Sequence, residues 1–264
     1  MEQKSQAGII AKIETRGAME RIDEIIQASR GVMVARGDLA VEIDRADVPL
    51  AQKQIIRAAN IAGKTVITAT QMLDSMTTES TPTRAEIGDV ANAIFDGTDA
   101  VMLSQETSIG VDPVHVVATM ASIALHTEQS QLYRNEVVRL RGAASGVVDT
   151  VSSAVAQSIL TSGAVAIVAL TESGFTPRMV SRHKPAAPIL ALTSVEETHR
   201  QLALTYGISA NMTKNVHNIT EALALARKEL LRAKLAQKGD VFLLVAGIPF
   251  GRRGGTNALV IQTV

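Results

Sequence analysis

The sequence predicts an α/β fold in two parts, and three observations lead to this prediction. Short apolar segments alternate with amphipathic segments of helical period along most of the chain, which is typical of strands and helices in β/α order. Hydrophobic residues make up 46% of the 264 residues but aromatic residues only 2%, and such an aliphatic core favours a parallel sheet covered by helices. A segment with several Gly and Ala residues at 139–148 interrupts the alternation and predicts a linker.

The amino-terminal part, residues 1–138, contains four β/α units. Strands are predicted at 9–14, 31–37, 65–70 and 100–104, and helices at 18–29, 48–60, 83–96 and 113–133. Gly63 fits a helix C-cap, Thr83 with Glu86 predicts a capping box, and a short irregular stretch is expected after Asp38. Four units are half of an eight-stranded barrel, so we expect two exposed sheet edges that pair with further chain.

The carboxy-terminal part, residues 149–264, is predicted to be a separate α/β domain with a mostly parallel five-stranded sheet. Strands are predicted at 165–170, 189–193, 208–212, 241–245 and 258–263, and helices at 150–162, 176–183, 196–206 and 218–237.

Charge and composition exclude several classes of function. Lys and Arg number 26, as do Asp and Glu, and this balance gives no support for a nucleic-acid or anionic membrane partner. No Cys is present, which excludes disulfides and suits a reducing compartment. No apolar run approaches the ~20 residues of a membrane helix. We therefore expect a soluble, cytoplasmic protein with neither a membrane nor a nucleic-acid partner.

Charged and hydroxyl side chains follow the predicted strands of the first part. Lys12 and Glu14 end the first strand and share one of its faces, and Asp38 follows the second strand. Because the carboxyl ends of parallel strands meet at one edge, these side chains are expected to converge. Two carboxylates suit Mg²⁺, and a lysine beside a metal suits phosphoryl transfer. The sequence thus predicts a divalent-metal and anion site.

Further groups at the same edge suit a bound carboxylate. The backbone amides of Gly37 and Asp38 can donate to an anion, and Thr70 can donate a hydrogen bond or relay a proton. The fourth strand is followed by Ser104 and Glu106, which are expected to lie with these groups at the same edge of the sheet. The alternative is a set of ordinary ion pairs without a ligand.

The chain resembles the pyruvate kinase family through long motifs in that family's order and spacing. They are AKIE, MVARGDLAVEI, VITATQMLDSM, PTRAEIGDVANAIFDGTDAVMLSQET, TESGFTPRMVSRHKP and GDVFLLVAGIPFG. The resemblance covers the later half of the catalytic barrel and the carboxy-terminal domain. It implies a partial (β/α)8 TIM barrel, made of the last four β/α units, followed by the family's allosteric α/β domain.

The resemblance also implies an activity and roles for residues. Pyruvate kinases transfer a phosphoryl group from phosphoenolpyruvate to ADP, giving pyruvate and ATP in glycolysis. Glu14 and Asp38 match the residues that bind Mg²⁺ or Mn²⁺, and Lys12 matches the lysine that stabilises the transferring phosphoryl group. Gly37 and Asp38 match backbone donors to the substrate carboxylate, and Thr70 matches the threonine that contacts it.

Parts of that family's site are absent from this chain. Its K⁺ ligands, an arginine that contacts phosphate and nucleotide, and its lid domain lie upstream of the matched region. We therefore expect weak or no kinase activity from the chain alone. Arg36 matches an arginine expected to be structural, and Gln105 departs from the family's usual Gly.

A second site is predicted in the carboxy-terminal part. The loop of Thr171, Ser173, Gly174 and Thr176 lies between a strand and a helix, where free amides suit an anion. By resemblance it matches the phosphate-binding loop of the family's allosteric site, and the segment with Arg252 and Arg253 completes that site. A phosphorylated effector and a homo-oligomer are implied.

Three hypotheses about function follow. The first is a pyruvate kinase fragment. The second is a metal-dependent aldolase-type barrel that binds phosphoenolpyruvate or pyruvate, although the carboxy-terminal domain argues against it. The third is a non-enzymatic module for effector binding or assembly. Pyruvate formation separates the first from the third, and retro-aldol cleavage would indicate the second.

Overall fold

A computed structural model describes residues 7–140, 145–250 and 255–264. The chain divides into two compact units, Met1–Leu140 and Arg141–Val264.

The first unit is a four-stranded sheet with helices between its strands. Its strands are β1 (Ile10–Ile13), β2 (Gly31–Ala35), β3 (Thr65–Ala69) and β4 (Ala100–Val101). Its helices are α1 (Arg16–Glu20), α2 (Ile22–Ala28), α3 (Arg36–Glu42), α4 (Val48–Ala62), α5 (Arg84–Phe95), α6 (Gln105–Ser108), α7 (Pro113–Gln129) and α8 (Gln131–Leu140), with a 3-10 helix at Asp74–Thr77. The strands pair in the order β1-β2-β3-β4 and all run parallel, so their carboxyl ends share one edge.

Aliphatic side chains form the core of this unit, as the composition predicts. Ile13 and Val34 from the sheet pack with Ile26, Ile55 and Ile56 from α2 and α4, and all five are almost fully buried. A second cluster surrounds Met72, Leu73 and Met76 in the loop after β3. Burial of these side chains fixes the helices against the sheet and therefore fixes the strand ends.

The predicted caps of the first unit are confirmed. Gly63 ends α4 in the left-handed region, with a φ of 62°, a conformation that Gly adopts without a steric penalty. The Thr83 side chain accepts from the Glu86 amide while the Glu86 carboxylate accepts from the Thr83 amide, which completes the capping box at the start of α5.

Several predicted boundaries in this unit are wrong. The irregular stretch expected after Asp38 is confined to residues 43–47, because α3 begins directly after β2, continues to Glu42 and buries Leu39 in the core. The predicted helix 18–29 is two helices that break at Arg21, where φ is −117° and ψ is 28°. The predicted strand 100–104 has only two residues, Ala100–Val101, and Ser104 already precedes α6. The predicted helix 113–133 breaks at Ser130.

The second unit has a five-stranded sheet. Its elements are α9 (Gly146–Ser162), β5 (Ala166–Leu170), α10 (Phe175–Ser181), β6 (Ile189–Thr193), α11 (Glu196–Gln201), a 3-10 helix (Leu202–Leu204), β7 (Ile208–Met212), α12 (Ile219–Arg232), β8 (Val241–Gly247) and β9 (Thr256–Thr263). The strand order is β7-β6-β5-β8-β9. Only β9 pairs antiparallel, so the predicted mostly parallel five-stranded sheet is confirmed.

Helical residues occupy both ends of the segment predicted as a linker at 139–148. The first unit's α8 continues to Leu140, and α9 begins at Gly146. Residues 141–144 lie outside the described part of the chain. Among the helices that are described, none has both the length and the apolar character needed to cross a membrane.

Candidate functional site

The first unit brings the predicted metal and lysine side chains together at the carboxyl end of its sheet. Lys12 lies near the end of β1, Glu14 follows that strand, and Asp38 lies in the first turn of α3 directly after β2. The Lys12 ammonium forms an ion pair with Glu14, and its Nζ lies 3.9 Å from Asp38 Oδ2. The Asp38 side chain is 60% exposed, so the group is open to a ligand from solvent.

Ionisation at this site favours the charged forms. The hydrogen bond from Lys12 lowers the pKa of the Glu14 carboxyl, against an opposing effect of burial. The same hydrogen bond and the charge of Glu14 raise the pKa of Lys12. At neutral pH the site therefore presents a carboxylate and an ammonium to the solvent.

The donor set fits a metal that completes its coordination with non-protein oxygens. No group of three or more His, Cys, Asp or Glu side chains suited to a metal ion occurs within the described residues. Mg²⁺ usually takes only one or two protein carboxylates and fills its octahedron with water and substrate oxygens. Glu14 and Asp38 are hard oxygen donors on adjacent strand ends, which suits that mode of binding.

Thr70 and Gly37 meet at the same edge of the sheet. Thr70 follows β3, and its Oγ1 accepts a hydrogen bond from the Gly37 amide at 3.0 Å while donating to the Ala69 carbonyl at 2.7 Å. The Gly37 and Asp38 amides lie in the first turn of α3, where amides lack helical partners. A bound carboxylate would therefore compete with the Thr70 hydroxyl for the Gly37 amide.

Glu106 is not one of the side chains exposed at this edge of the sheet, contrary to the prediction. It is buried, and its carboxylate accepts hydrogen bonds from the Ser104 amide at 2.7 Å and the Leu73 amide at 3.3 Å. These bonds tie the short α6 to the loop after β3. A charged residue that follows a strand can thus satisfy backbone amides instead of meeting a ligand.

The second unit contains a pocket of about 180 Å³ at the carboxyl ends of β5, β6, β7 and β8. The predicted effector residues Thr171, Ser173 and Thr176 line it, together with Glu172. Thr171 Oγ1 accepts from the Gly174 amide at 2.9 Å, and Thr176 Oγ1 lies 2.7 Å from Thr256 Oγ1.

The hydroxyls of Thr171 and Thr176 therefore also stabilise the loop between β5 and α10. Gly174 has a φ of 74° and precedes α10, which explains why Gly occupies this position. Arg252 and Arg253, the other predicted effector residues, lie outside the described residues.

Sequence reasoning missed part of this pocket. Thr193 ends β6 and Ser194 follows it, Thr213 and Lys214 follow β7, and all four line the cavity. The signal was present, because polar residues follow β5, β6 and β7 just as they follow strands of the first unit. Lys214 adds a positive charge and Glu172 a negative one, so the pocket is electrostatically mixed.

Fold and site together define a class of protein. Each unit is an α/β sheet with polar groups at the carboxyl ends of parallel strands, and the first carries a carboxylate and lysine group suited to a metal-bound anion. This is the arrangement of an α/β enzyme or of a module derived from one.

Comparison with known proteins identifies the family. The family model described as "Pyruvate kinase, barrel domain" matches residues 1–117, and "Pyruvate kinase, alpha/beta domain" matches residues 149–262. The chain therefore belongs to the pyruvate kinase family, a family of kinases that transfer phosphoryl groups. The two matches confirm the resemblance seen in the sequence motifs and do not favour an aldolase.

Individual relatives agree with this assignment. The chain is 47% identical over 257 residues to a pyruvate kinase of Geobacillus stearothermophilus, a match that covers 97% of this chain and 44% of the relative. It is 46% identical to one from Agrobacterium vitis, covering 97% and 54%. A crystal structure of a pyruvate kinase from Cryptosporidium parvum has a TM-score of 0.87 at 33% identity and covers 98% of this chain and 52% of that one. The chain spans about half the length of these relatives.

Proposed function

We propose that the first unit is the phosphoenolpyruvate-binding half of a pyruvate kinase site, built on the last four β/α units of a (β/α)8 barrel. The observation that supports this most is the convergence of Lys12, Glu14, Asp38 and Thr70 from three adjacent strand ends. The reaction to which this half-site belongs is transfer of the phosphoryl group of phosphoenolpyruvate to ADP, giving pyruvate and ATP. The boundaries 1–138 and 149–264 are proposed for the two domains.

Each side chain has a role that its chemistry supports. Glu14 and Asp38 would hold Mg²⁺ or Mn²⁺, which supplies positive charge to the substrate's phosphate and enolate oxygens when bound. Lys12 places an ammonium beside the same oxygens and neutralises the charge that develops on them. The Gly37 and Asp38 amides and the Thr70 hydroxyl orient the substrate carboxylate.

The residues of this chain supply positioning and charge but only part of a complete site. K⁺ is implied by the family. We propose that the chain binds divalent metal and substrate weakly and turns over slowly or not at all, because water exclusion and nucleotide alignment need further groups. Assembly as a homo-oligomer and a cytoplasmic location belong to the same proposal.

Pyruvate release from phosphoenolpyruvate and ADP with Mg²⁺ and K⁺ tests this proposal, with Asp38→Asn as the control. We expect no turnover above that of the control from the folded chain. A turnover rate typical of complete kinases, lost in Asp38→Asn, would contradict the proposed dependence on further groups.

A second proposed function is binding of a phosphorylated effector in the second unit. Its support is the pocket at the ends of four strands. Thr171, Ser173 and Thr176 line this pocket, and so does Lys214, which follows β7. Hydroxyls, helix-start amides and a lysine suit a phosphate. Calorimetric titration with a panel of sugar phosphates and nucleoside monophosphates is expected to give binding heat with at least one of them. Absence of heat with every ligand of the panel would contradict this function.

A further inference from the structure

Arg36 occupies an unusual place beside the candidate site. It is the first residue of α3, but its side chain is only 11% exposed and extends under the loop that follows β3. Its Nε donates to the Ala69 carbonyl at 3.2 Å, and its Nη2 donates to the Thr70 carbonyl at 2.6 Å and to the Gln71 carbonyl at 3.4 Å. One guanidinium therefore contacts three consecutive carbonyl groups.

The other side of the guanidinium is held by a carboxylate. Arg36 Nη1 lies 2.6 Å from Asp89 Oδ1 and 2.5 Å from Asp89 Oδ2, and it also donates to Gln52 Oε1 at 3.4 Å. Asp89 belongs to α5 and Gln52 to α4. The rigid fork of the guanidinium thus connects the loop after β3 to two helices of the unit.

The contacted loop has a conformation that needs support. Thr70 has a φ of 69° and Gln71 a φ of 53°, so two consecutive residues with side chains lie in the left-handed region. Residues other than Gly adopt this region rarely, and such backbone persists where its surroundings hold it. Arg36 contacts the carbonyl of each of these two residues.

The same turn decides where the Thr70 hydroxyl lies. Thr70 Oγ1 is bonded to the Gly37 amide and to the Ala69 carbonyl, and Gly37 is the residue after Arg36. Arg36 therefore fixes both the turn that carries Thr70 and the start of the helix that carries Gly37. We propose that Arg36 and Asp89 are positioning residues, which hold the turn of Thr70 against the start of the helix that carries Gly37, so that a substrate carboxylate meets both donors when it replaces the bond between them. The part about substrate rests on the function proposed above.

The test compares Asp89→Asn and Arg36→Met with a matched control, Asp96→Asn. Asp96 caps α5, accepts from Gln52 Nε2 at 3.0 Å and forms an ion pair with Lys53. It thus joins α4 to the end of α5, whereas Asp89 joins Arg36 of α3 to α5, and Asp96 does not contact the turn at Thr70. Two quantities are measured on the full chain: hydrogen exchange of the Gly37 amide by NMR, and the affinity for oxalate with Mn²⁺.

Asp89→Asn and Arg36→Met are expected to accelerate Gly37 exchange and to weaken oxalate binding, each by about tenfold, the equivalent of 1.4 kcal/mol. Asp96→Asn is expected to change neither quantity by as much as threefold, since it leaves the Arg36–Asp89 pair intact and reaches Arg36 only through the long 3.4 Å contact of Gln52. A general loss of stability would accelerate exchange in β2 and β3 equally, so a selective effect at Gly37 identifies positioning.

Unchanged Gly37 exchange in the folded Asp89→Asn variant would overturn the inference, as would equal effects in Asp96→Asn. If Arg36→Met does not fold, Asp89→Asn decides alone, because it keeps Arg36 and loses only one charge. If the wild-type chain does not bind oxalate, the proposed substrate half-site fails, but the exchange measurement still decides whether Arg36 and Asp89 hold the turn.

Discussion

Replacing Gly174 with Ala perturbs the loop of the proposed effector site in a way that the structure allows to be quantified. Gly174 has a φ of 74°, and an added Cβ would lie 2.5 Å from Arg178 Nη1 and 3.2 Å from Leu202 Cδ2. A side chain in the left-handed region costs about 1–2 kcal/mol. Arg178 Nη2 donates to the Ser173 carbonyl at 3.1 Å, and displacing it costs roughly a further 1 kcal/mol. The expected loss of stability is about 2–3 kcal/mol.

Gly163→Ala is the matched control for this substitution. Gly163 also has a positive φ, 69°, but an added Cβ would meet nothing within 4 Å. The Gly163→Ala variant should therefore lose only the ~1–2 kcal/mol of stability that a side chain in the left-handed region costs. Urea unfolding followed by circular dichroism measures the stability of both variants, and calorimetry measures their affinity for the phosphorylated ligand of the panel that the wild-type chain binds most tightly. We expect Gly174→Ala to be the less stable variant and to lose binding that the control keeps. Equal stability of the two variants, with binding intact in both, would refute the reasoning.

Three further substitutions test other parts of the account. Burial raises the pKa of the Glu86 carboxyl, but hydrogen bonds from Ser75 and Thr83 lower it by more. The pKa therefore lies below its ordinary value of 4.5. The stability that this carboxylate provides is therefore present above pH 4.5 and lost as the pH falls through the folded-state pKa. Glu86→Gln should destabilise the chain by about 1 kcal/mol at pH 7 and by less at pH 3 in thermal melts; an equal effect at both pH values would contradict this. Asp38→Asn should weaken Mn²⁺ binding by tenfold or more, roughly 1.4 kcal/mol, in an electron paramagnetic resonance titration; unchanged affinity would place the metal elsewhere. Glu172→Gln should bind that same phosphorylated ligand about two- to fivefold more tightly because a like charge is removed, and unchanged affinity would exclude the Glu172 loop as the phosphate site.

The regular parts of the fold could be predicted from the sequence because they follow local rules. The strands 189–193 and 208–212 are found with the predicted bounds, since each is a short apolar or β-prone run between clear breaks. The capping box at Thr83 and the C-cap at Gly63 depend on side chains within one turn, and those signals are visible without tertiary information.

Elements that depend on distant contacts could not be predicted in the same way. The helix α3 contains Gly37 and lacks a side-chain cap, and the burial of Leu39 supports it. The segment after the short β4 is held by Glu106, which accepts the Ser104 amide in a buried loop. Such tertiary contacts override local propensity, and the sequence pattern does not display them.

For the candidate site, the strand-end rule predicted the convergence of Lys12, Glu14 and Asp38, and this convergence is observed. The rule failed for Glu106, because a carboxylate after a strand can equally bond backbone amides. The role of Arg36 was expected to be structural, but its partner Asp89 lies 53 positions away. Only the folded arrangement of α3, α5 and the turn after β3 brings these two residues together.

Binding of phosphoenolpyruvate with Mg²⁺, followed residue by residue in NMR spectra of the full chain, tests the central claim most directly. The account predicts saturable amide shifts at Glu14, Gly37, Asp38 and Thr70, all abolished in Asp38→Asn. A folded chain that shows no shift at these residues up to millimolar ligand, or the same shifts in Asp38→Asn, would contradict the claim that the first unit carries a substrate half-site.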